Sequence, residues 1–427
     1  MTSKRRAARA TAPGKIILFG EHSVVYGRRA IAASVSELRV AVRFVPRNDD
    51  TILTSVWTKN ATDERNARKF NTGDVEGLFE SGTATSVREI ETLVKSDSFC
   101  KELERIVAKR AKESDQTYSA QHGRAHCVLL LLGAAIVRGE MTAADFRTCG
   151  GFEMIVEGPS RIPIGAGLGS SAALCVATSA AVLWGTSALN TPEISIRSLR
   201  NEDLEKVNAW AFVGETFLHG TPSGVDNTVS TYGGAVCFCK RKRSESEAAT
   251  PSWRRLSNFP KLRMIVTDTK VPRETRALVA KVRRLREHIP TVMDAIFDAI
   301  DAIVGDFVAD VEKCEDDAKT GDGADVSSLE TKLGLLMPTN HTLLVAMGVG
   351  HEALDGVCRI MREKANLDSS KLTGAGGGGC AVTLLPTGTS IDSSKVRDAL
   401  TAIEKKGWRS DITAVGGQGV VIESLKF

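Results

Sequence analysis

Aromatic residues are scarce in this chain. Phenylalanine, tryptophan and tyrosine make up 5% of its 427 residues, too few for the stacking platforms that hold single-stranded nucleic acid. An excess of one charge is also missing. The 56 basic and 52 acidic side chains leave a net +4, which argues for neither a nucleic-acid nor a lipid partner. No hydrophobic run is long. The longest, Val128–Val137, falls well short of the roughly 20 apolar residues of a membrane span and reads as a buried core helix. Nine cysteines are present without a C-x-x-C pair, Cys237 and Cys239 being the closest two. This argues against a clustered zinc site, and the odd count in a long chain argues against a disulfide framework. The thiols read as reduced and mostly buried in a cytoplasmic protein. Met1–Arg9 is basic with no apolar segment behind it, unlike a secretory signal. Leu425-Lys426-Phe427 is not the usual Ser-Lys-Leu address, and the choice between cytoplasm and peroxisome stays open. Repeats of solenoid length are absent.

What is present is a 42% hydrophobic chain, long enough for two or three domains or two joined lobes. Ala30–Val45 alternates like strand after a turn at Gly27. Phe99, Leu103, Ile106 and Val107 mark a helix. Phe152–Val156 reads as a strand, Ala172–Leu183 as an alanine-rich helix and Leu204–Leu218 as a helix broken by Gly220–Gly224. Gly234–Cys239 and Arg263–Asp268 read as strands. Lys240–Thr250 is charged and reads as a solvated hairpin tip. Helical spacing continues through Arg276–Ile289 and Pro290–Val311. A polar loop is expected at Cys314–Asp325, then helices at Ser327–Met337 and Leu343–Arg359. Lys371–Leu385 is glycine-rich, then strand-like. Strands and helices mix without a strict βαβ rhythm, which favours α+β or a two-lobed α/β arrangement with a boundary near Gly233-Gly234.

The segment of greatest chemical interest is Ile162-Pro-Ile-Gly-Ala-Gly-Leu-Gly-Ser-Ser-Ala-Ala173. Glycines at alternate positions let backbone approach an anion with no Cβ in the way. The helix that follows supplies unpaired N–H groups and the positive end of its dipole, and together these make an anion site. The G-x-G-x-G spacing differs from a dinucleotide fingerprint, and a Walker lysine is missing. A glycine turn that merely caps a packed helix stays open. Downstream, Glu215 lies on a helix and Asp226 beyond a Pro-Ser-Gly break. Phosphoryl transfer to an alcohol needs a metal on the phosphates and a carboxylate beside the attacking hydroxyl; Glu215 suits the first task and Asp226 the second. The alternative is a surface glutamate and a helix-capping aspartate. Lys15, Glu21 and His22 surround an apolar strand. Lys371-Leu-Thr-Gly-Ala-Gly-Gly-Gly-Gly-Cys380 carries enough glycine to imply close backbone approach to a ligand or to the first glycine loop.

Taken in order, Pro13-Gly-Lys-Ile-Ile-Leu-Phe-Gly-Glu-His22, Pro163-Ile-Gly-Ala-Gly-Leu-Gly-Ser-Ser-Ala172 and Lys371-Leu-Thr-Gly-Ala-Gly-Gly-Gly-Gly379 resemble the three motifs of the GHMP kinase superfamily. Within it the chain is most similar to the mevalonate kinases. Gly20-Glu-His-Ser-Val-Val-Tyr-Gly27 fits their first motif, where a galactokinase reads Gly-Glu-His-Thr-Asp-Tyr. His219–Thr231, Thr267–Leu278 and Gly348–His351 add to the likeness, which runs from about residue 10 to the end and is weakest at 47–125 and 240–255.

The resemblance implies an α+β, two-lobed GHMP kinase fold. Lobe 1–234, ribosomal-protein-S5-like, would carry the nucleotide loop and catalytic residues, and lobe 235–427 would be ferredoxin-like. It implies ATP-dependent phosphorylation of the primary hydroxyl of (R)-mevalonate to 5-phosphomevalonate, in the route to isoprenoids and sterols, with ATP and Mg2+ as cofactors. Asp226 matches the catalytic base. Lys15 matches a lysine near the reacting hydroxyl and the nucleotide. Ser171 and Glu215 match metal ligands. Glu21, His22 and Thr275 fall on the substrate side. Ser160, Gly165, Ala166, Gly167, Leu168, Gly169, Ser170 and Ser171 match nucleotide contacts. The family's adenine-side asparagine has no clear counterpart; Trp57 lies near its place. A homodimer and feedback inhibition by prenyl diphosphates are implied too. Homoserine, galactose or phosphomevalonate as the alcohol stays an alternative, as does a non-catalytic protein of this fold.

Overall fold

The alanine- and valine-rich stretch after Gly27 forms an 18-residue strand, Arg29–Pro46, whose side chains alternate between core and periphery over its second half. The computed structural model describes residues 5–58, 67–79, 86–112, 120–158, 162–163, 165–190, 199–241, 250–256, 259–320 and 326–425. In chain order the strands are β1 (Ala8–Phe19), β2 (Arg29–Pro46), β3 (Thr51–Thr58), β4 (Ala67–Asn71), β5 (Phe152–Glu157), β6 (Ala235–Arg241), β7 (Thr250–Leu256), β8 (Leu262–Asp268), β9 (Ser370–Leu372), β10 (Cys380–Leu384), β11 (Arg409–Val415) and β12 (Val421–Ser424). They form one sheet with the path β4-β3-β5-β2-β11-β8-β10-β9; β1 pairs with β2 and β12, and β6 with β2 and β7. All pairings are antiparallel except β3 with β5. The sheet therefore continues across residue 234: β6 follows it at once and still pairs with β2, while β12 returns to β1.

Two large apolar clusters pack against this sheet among the described residues, with a small third one joining Ala30 and Ala32 of β2 to Val225, Val229, Val236 and Phe238. The larger gathers Leu129, Leu130, Leu131 and Leu132 of the Ala120–Gly139 helix with the Ser170–Gly185 helix and the inner faces of β1, β2 and β5. The expected buried helix at Val128–Val137 is thus part of the core, each leucine contributing roughly 1.5–3 kcal/mol by leaving water. The second cluster packs Phe297, Leu354, Val357 and Met361 against Leu372 and Ile265. Among the described residues no helix is long and apolar enough to cross a membrane.

Two expectations fail locally. The helix Pro290–Thr320 runs through the first half of the expected loop at Cys314–Asp325, because Lys, Glu and Ala are good helix formers whatever their polarity. The helix Val326–Ala346 passes through Pro338. The missing proline N–H removes one hydrogen bond from the helix ladder, yet the chain breaks only at Gly348, which has φ 81°, before resuming at Glu352–Ala365. The tip of the β6–β7 hairpin lies outside the described residues, as do the side chain of Trp57 and all of Ser160.

Candidate functional site

The glycine loop is built for open backbone. Gly165, Gly167 and Gly169 have φ 78°, 79° and 72°, a region that costs other L-residues about 1–2 kcal/mol each. Gly169 stands at the N-cap of the Ser170–Gly185 helix and offers no side-chain cap, so the first helical N–H groups lack a capping side chain and the positive end of the dipole faces outward. A Cβ at Gly165 would meet nothing within 4 Å, so the mouth of the loop is open. Its floor is β1: the Lys15 N–H donates to the Leu168 carbonyl at 2.8 Å, and a Cβ at Gly169 would lie 3.0 Å from the Lys15 side chain.

Lys15 is the hub of a charged cluster beneath this loop. Its Nζ lies 3.2 Å from Asp226 Oδ2, the lysine side chain 8% exposed and the aspartate 35%. Asp226 sits in the first turn of the helix Val225–Tyr232, behind Gly224 at φ 77°. Glu215 rises from the Asn201–His219 helix and is buried. Burial, then the charge of Asp226, push its carboxyl up to about 8, against a hydrogen bond from Ser171 and the charge of Lys15. His219, one turn on, places Nε2 3.2 Å from Ser171 Oγ and 3.8 Å from Glu215 Oε1.

A carboxylate raised by its own surroundings beside a second carboxylate, with a hydroxyl against it, suits a divalent cation shared with a phosphate ligand. Magnesium is commonly held this way, by one or two protein groups plus substrate oxygens. No cluster of three or more His, Cys, Asp or Glu able to hold a metal by itself occurs among the described residues.

Glu21 and His22 share no hydrogen bond or ion pair with this cluster among the described residues. Glu21 Oε1 pairs with Lys371 Nζ and Oε2 accepts from Asn340 Nδ2 at 3.2 Å. His22, at φ 60°, donates from Nε2 to the Ala375 carbonyl at 2.9 Å, and burial holds its imidazole below the usual range. Thr275 begins the exposed first turn of the Thr275–His288 helix.

The family scan matches the GHMP kinases N terminal domain over residues 134–234. Over the whole length, the chain is 34% identical to a mevalonate kinase of Mus musculus across 97% of this chain and 94% of that protein. It is 34% identical to one of Homo sapiens with the same coverage, and 33% identical to one of Arabidopsis thaliana across 97% and 99%. The chain belongs to the mevalonate kinase family. Solved structures agree on the GHMP kinase fold. The L. major mevalonate kinase in complex with R-mevalonate aligns at TM-score 0.59 and 22% identity over 96% of each chain. The Methanococcus jannaschii mevalonate kinase aligns at 0.60 and 20% over 98% of each.

Seen as a member of the mevalonate kinase family, the chain holds residues near the loop that its motifs did not single out. The guanidinium of Arg273 lies against Gly167, Gly374 and Gly379, and a Cβ at Gly167 would collide with it. Among the described residues Arg273 Nη1 reaches only the Thr373 carbonyl, at 3.4 Å, and its buried Nε has no partner. No carboxylate pairs with it among the described residues, and burial lowers its affinity for the proton. A buried guanidinium left so poorly matched is costly unless an anion arrives. Arg273 lies within the Thr267–Leu278 likeness, two residues before Thr275. His219, beside Ser171 and Glu215, likewise heads the His219–Thr231 likeness.

Proposed function

We propose that this chain transfers the γ-phosphoryl group of ATP to the primary hydroxyl of mevalonate, giving 5-phosphomevalonate and ADP. The observation that carries the reading is the Lys15–Asp226 pair, 3.2 Å apart and 35% exposed on the aspartate side, directly beneath an uncapped glycine loop. The triphosphate sits on Gly165–Ser171, its charge met by backbone N–H groups, the helix dipole and Arg273. Asp226 takes the proton from the hydroxyl, and Lys15 steadies the developing alkoxide. Ser171 and Glu215 are the residues that would hold Mg2+. A bound Mg2+ would neutralise phosphate charge and draw Glu215 into its ionised form. His22 and Thr275 lie toward the alcohol. The same reading includes the division into lobes 1–234 and 235–427, a homodimer, and prenyl diphosphates competing for the triphosphate cradle.

Purified protein, ATP and Mg2+ with mevalonate, homoserine, galactose or phosphomevalonate test this directly. ADP release should depend on mevalonate. Release with another alcohol and none with mevalonate sinks the reading. Inhibition by farnesyl diphosphate that is not competitive with ATP would reject the shared cradle.

A further inference from the structure

The ends of β1 and β9 are joined by side chains alone. No strand pairing links them, since β1 pairs with β2 and β12, and β9 with β10. Instead, ties run between residues 17–22 and 371–375. The Ile17 N–H donates to Thr373 Oγ1 at 3.1 Å, and that hydroxyl donates back to the Ile17 carbonyl at 2.9 Å. Lys371 Nζ bonds Glu21 Oε1, both side chains 0% exposed, and also donates to the Leu372 carbonyl at 2.6 Å. His22 donates to the Ala375 carbonyl at 2.9 Å. The helix Val326–Ala346 closes the set: Asn340 donates to Glu21, and His341 Nδ1 accepts from the Leu372 N–H at 3.2 Å.

A fully buried ion pair is a poor source of stability. Desolvation costs both charges, and well-packed apolar groups often do as well. What such a pair offers is direction, because it has one satisfactory geometry. Here that geometry matters at two places. Glu21 precedes His22, held at φ 60°, a strained angle for a non-glycine residue. Lys371 precedes the run Gly374–Gly379, whose positive-φ glycines would otherwise sample many conformations. That run forms one wall of the slot in which Arg273 lies against the phosphate loop.

We infer that Glu21 and Lys371 are positioning residues for phosphoryl transfer: their sealed pair staples the first motif to the second glycine run, and so sets His22 on one side and Arg273 on the other. Glu21, with both oxygens engaged and no exposed surface, then acts through its neighbours and touches no substrate. The inference rests on the kinase reading above.

Two double variants separate positioning from plain stability. Glu21→Leu with Lys371→Met replaces the pair by apolar groups of similar size; Glu21→Gln with Lys371→Gln keeps a neutral directional hydrogen bond. The apolar variant should melt within about 5 °C of the wild type, the change expected from a nearly neutral replacement in a chain of this size. Its kcat should fall at least tenfold while the KM for mevalonate changes less than threefold. The hydrogen-bonded variant should recover most of that kcat. Amide hydrogen exchange over residues 374–379 should quicken in the apolar variant and not in the other. Wild-type kcat and unchanged exchange in the apolar variant overturn the inference. Failure of both variants to fold also overturns it, since the pair would then serve the whole fold. Exchange is read without turnover. A wild type that failed to phosphorylate mevalonate would sink the proposed function and leave the exchange result standing.

Discussion

Two lysine–carboxylate pairs serve this molecule in opposite ways. Lys15 and Asp226 meet at 3.2 Å with the carboxylate 35% exposed. Lys371 and Glu21 meet with neither side chain exposed. The chemistry of the partners is the same, and access differs. An aspartate reachable from solvent, beside a cation and under an open anion loop, can accept a proton from an incoming alcohol. A glutamate whose oxygens are taken by Lys371 and Asn340 cannot, and can only hold its neighbours still. Charge pairs in a site are thus sorted by what else can reach them.

The largest expected effect tests the open pair. Asp226→Asn keeps the shape and removes the proposed base, so kcat should drop by about a hundred- to ten-thousandfold, the range for a proton-transfer group. ATP binding, followed by isothermal titration calorimetry, should survive. Near-normal turnover would erase the distinction between the pairs, since the exposed carboxylate would then be no more reactive than the sealed one.

Glu215 sharpens the comparison from its flank. Its carboxyl stands at about 8, raised from 4.5 by burial and by Asp226. A carboxyl raised on folding favours the folded state at low pH, and that contribution is lost as the pH climbs through the folded value. Metal-free protein should therefore lose stability between about pH 5 and pH 8, by a few kcal/mol for a shift of this size. In Glu215→Gln that slope should flatten. Urea unfolding at several pH values in chelator measures both. An unchanged slope would mean that neither burial nor Asp226 holds the Glu215 carboxyl up.

Arg273 is expected to matter less, because other donors share the phosphates. Arg273→Ala should raise the KM for ATP by roughly tenfold, about 1.4 kcal/mol, with the melting temperature held or raised, since a buried and poorly paired charge has gone. A KM for mevalonate raised instead would move Arg273 to the alcohol side of the open pair.

Much of this site was legible in the sequence because its signals are local. Gly165–Ser171 running into a helix, Glu215 on a helix and Asp226 after a Pro-Ser-Gly break each sit within a short window, and the structure brings the last two together with Lys15. What was not legible depends on contacts that no window contains. Glu21 and Lys371 are 350 residues apart, so Glu21 read as a polar tip on a strand rather than half of a sealed pair. Arg273 meets Gly167 only in the folded chain, from the segment that follows β8. The continuous sheet hid for the same reason: β12 lies at the far end of the chain from β1. Within windows, the polar stretch Cys314–Thr320 and the gap between Met337 and Leu343 look like breaks, yet helix propensity and packing win there.

The smallest effect lies at the loop itself, and it asks whether the open side of the comparison is open for a ligand. Gly165→Ala and Gly167→Ala impose the same backbone cost, since both glycines have φ near 80° and an L-residue there loses about 1 kcal/mol. Their surroundings differ. A Cβ at residue 165 meets nothing within 4 Å, whereas one at 167 runs into the Arg273 guanidinium. If Gly165 serves only to turn the chain, Gly165→Ala should cost about 1 kcal/mol of stability with ATP affinity unchanged. If the space above it holds a phosphate, affinity should fall by a few fold beyond the stability change, because the methyl group occupies that space. Gly167→Ala displaces Arg273 and should resemble Arg273→Ala in its KM for ATP. Equal, purely structural losses in both variants would leave the loop a packing turn, and the Lys15–Asp226 pair would have no phosphate above it.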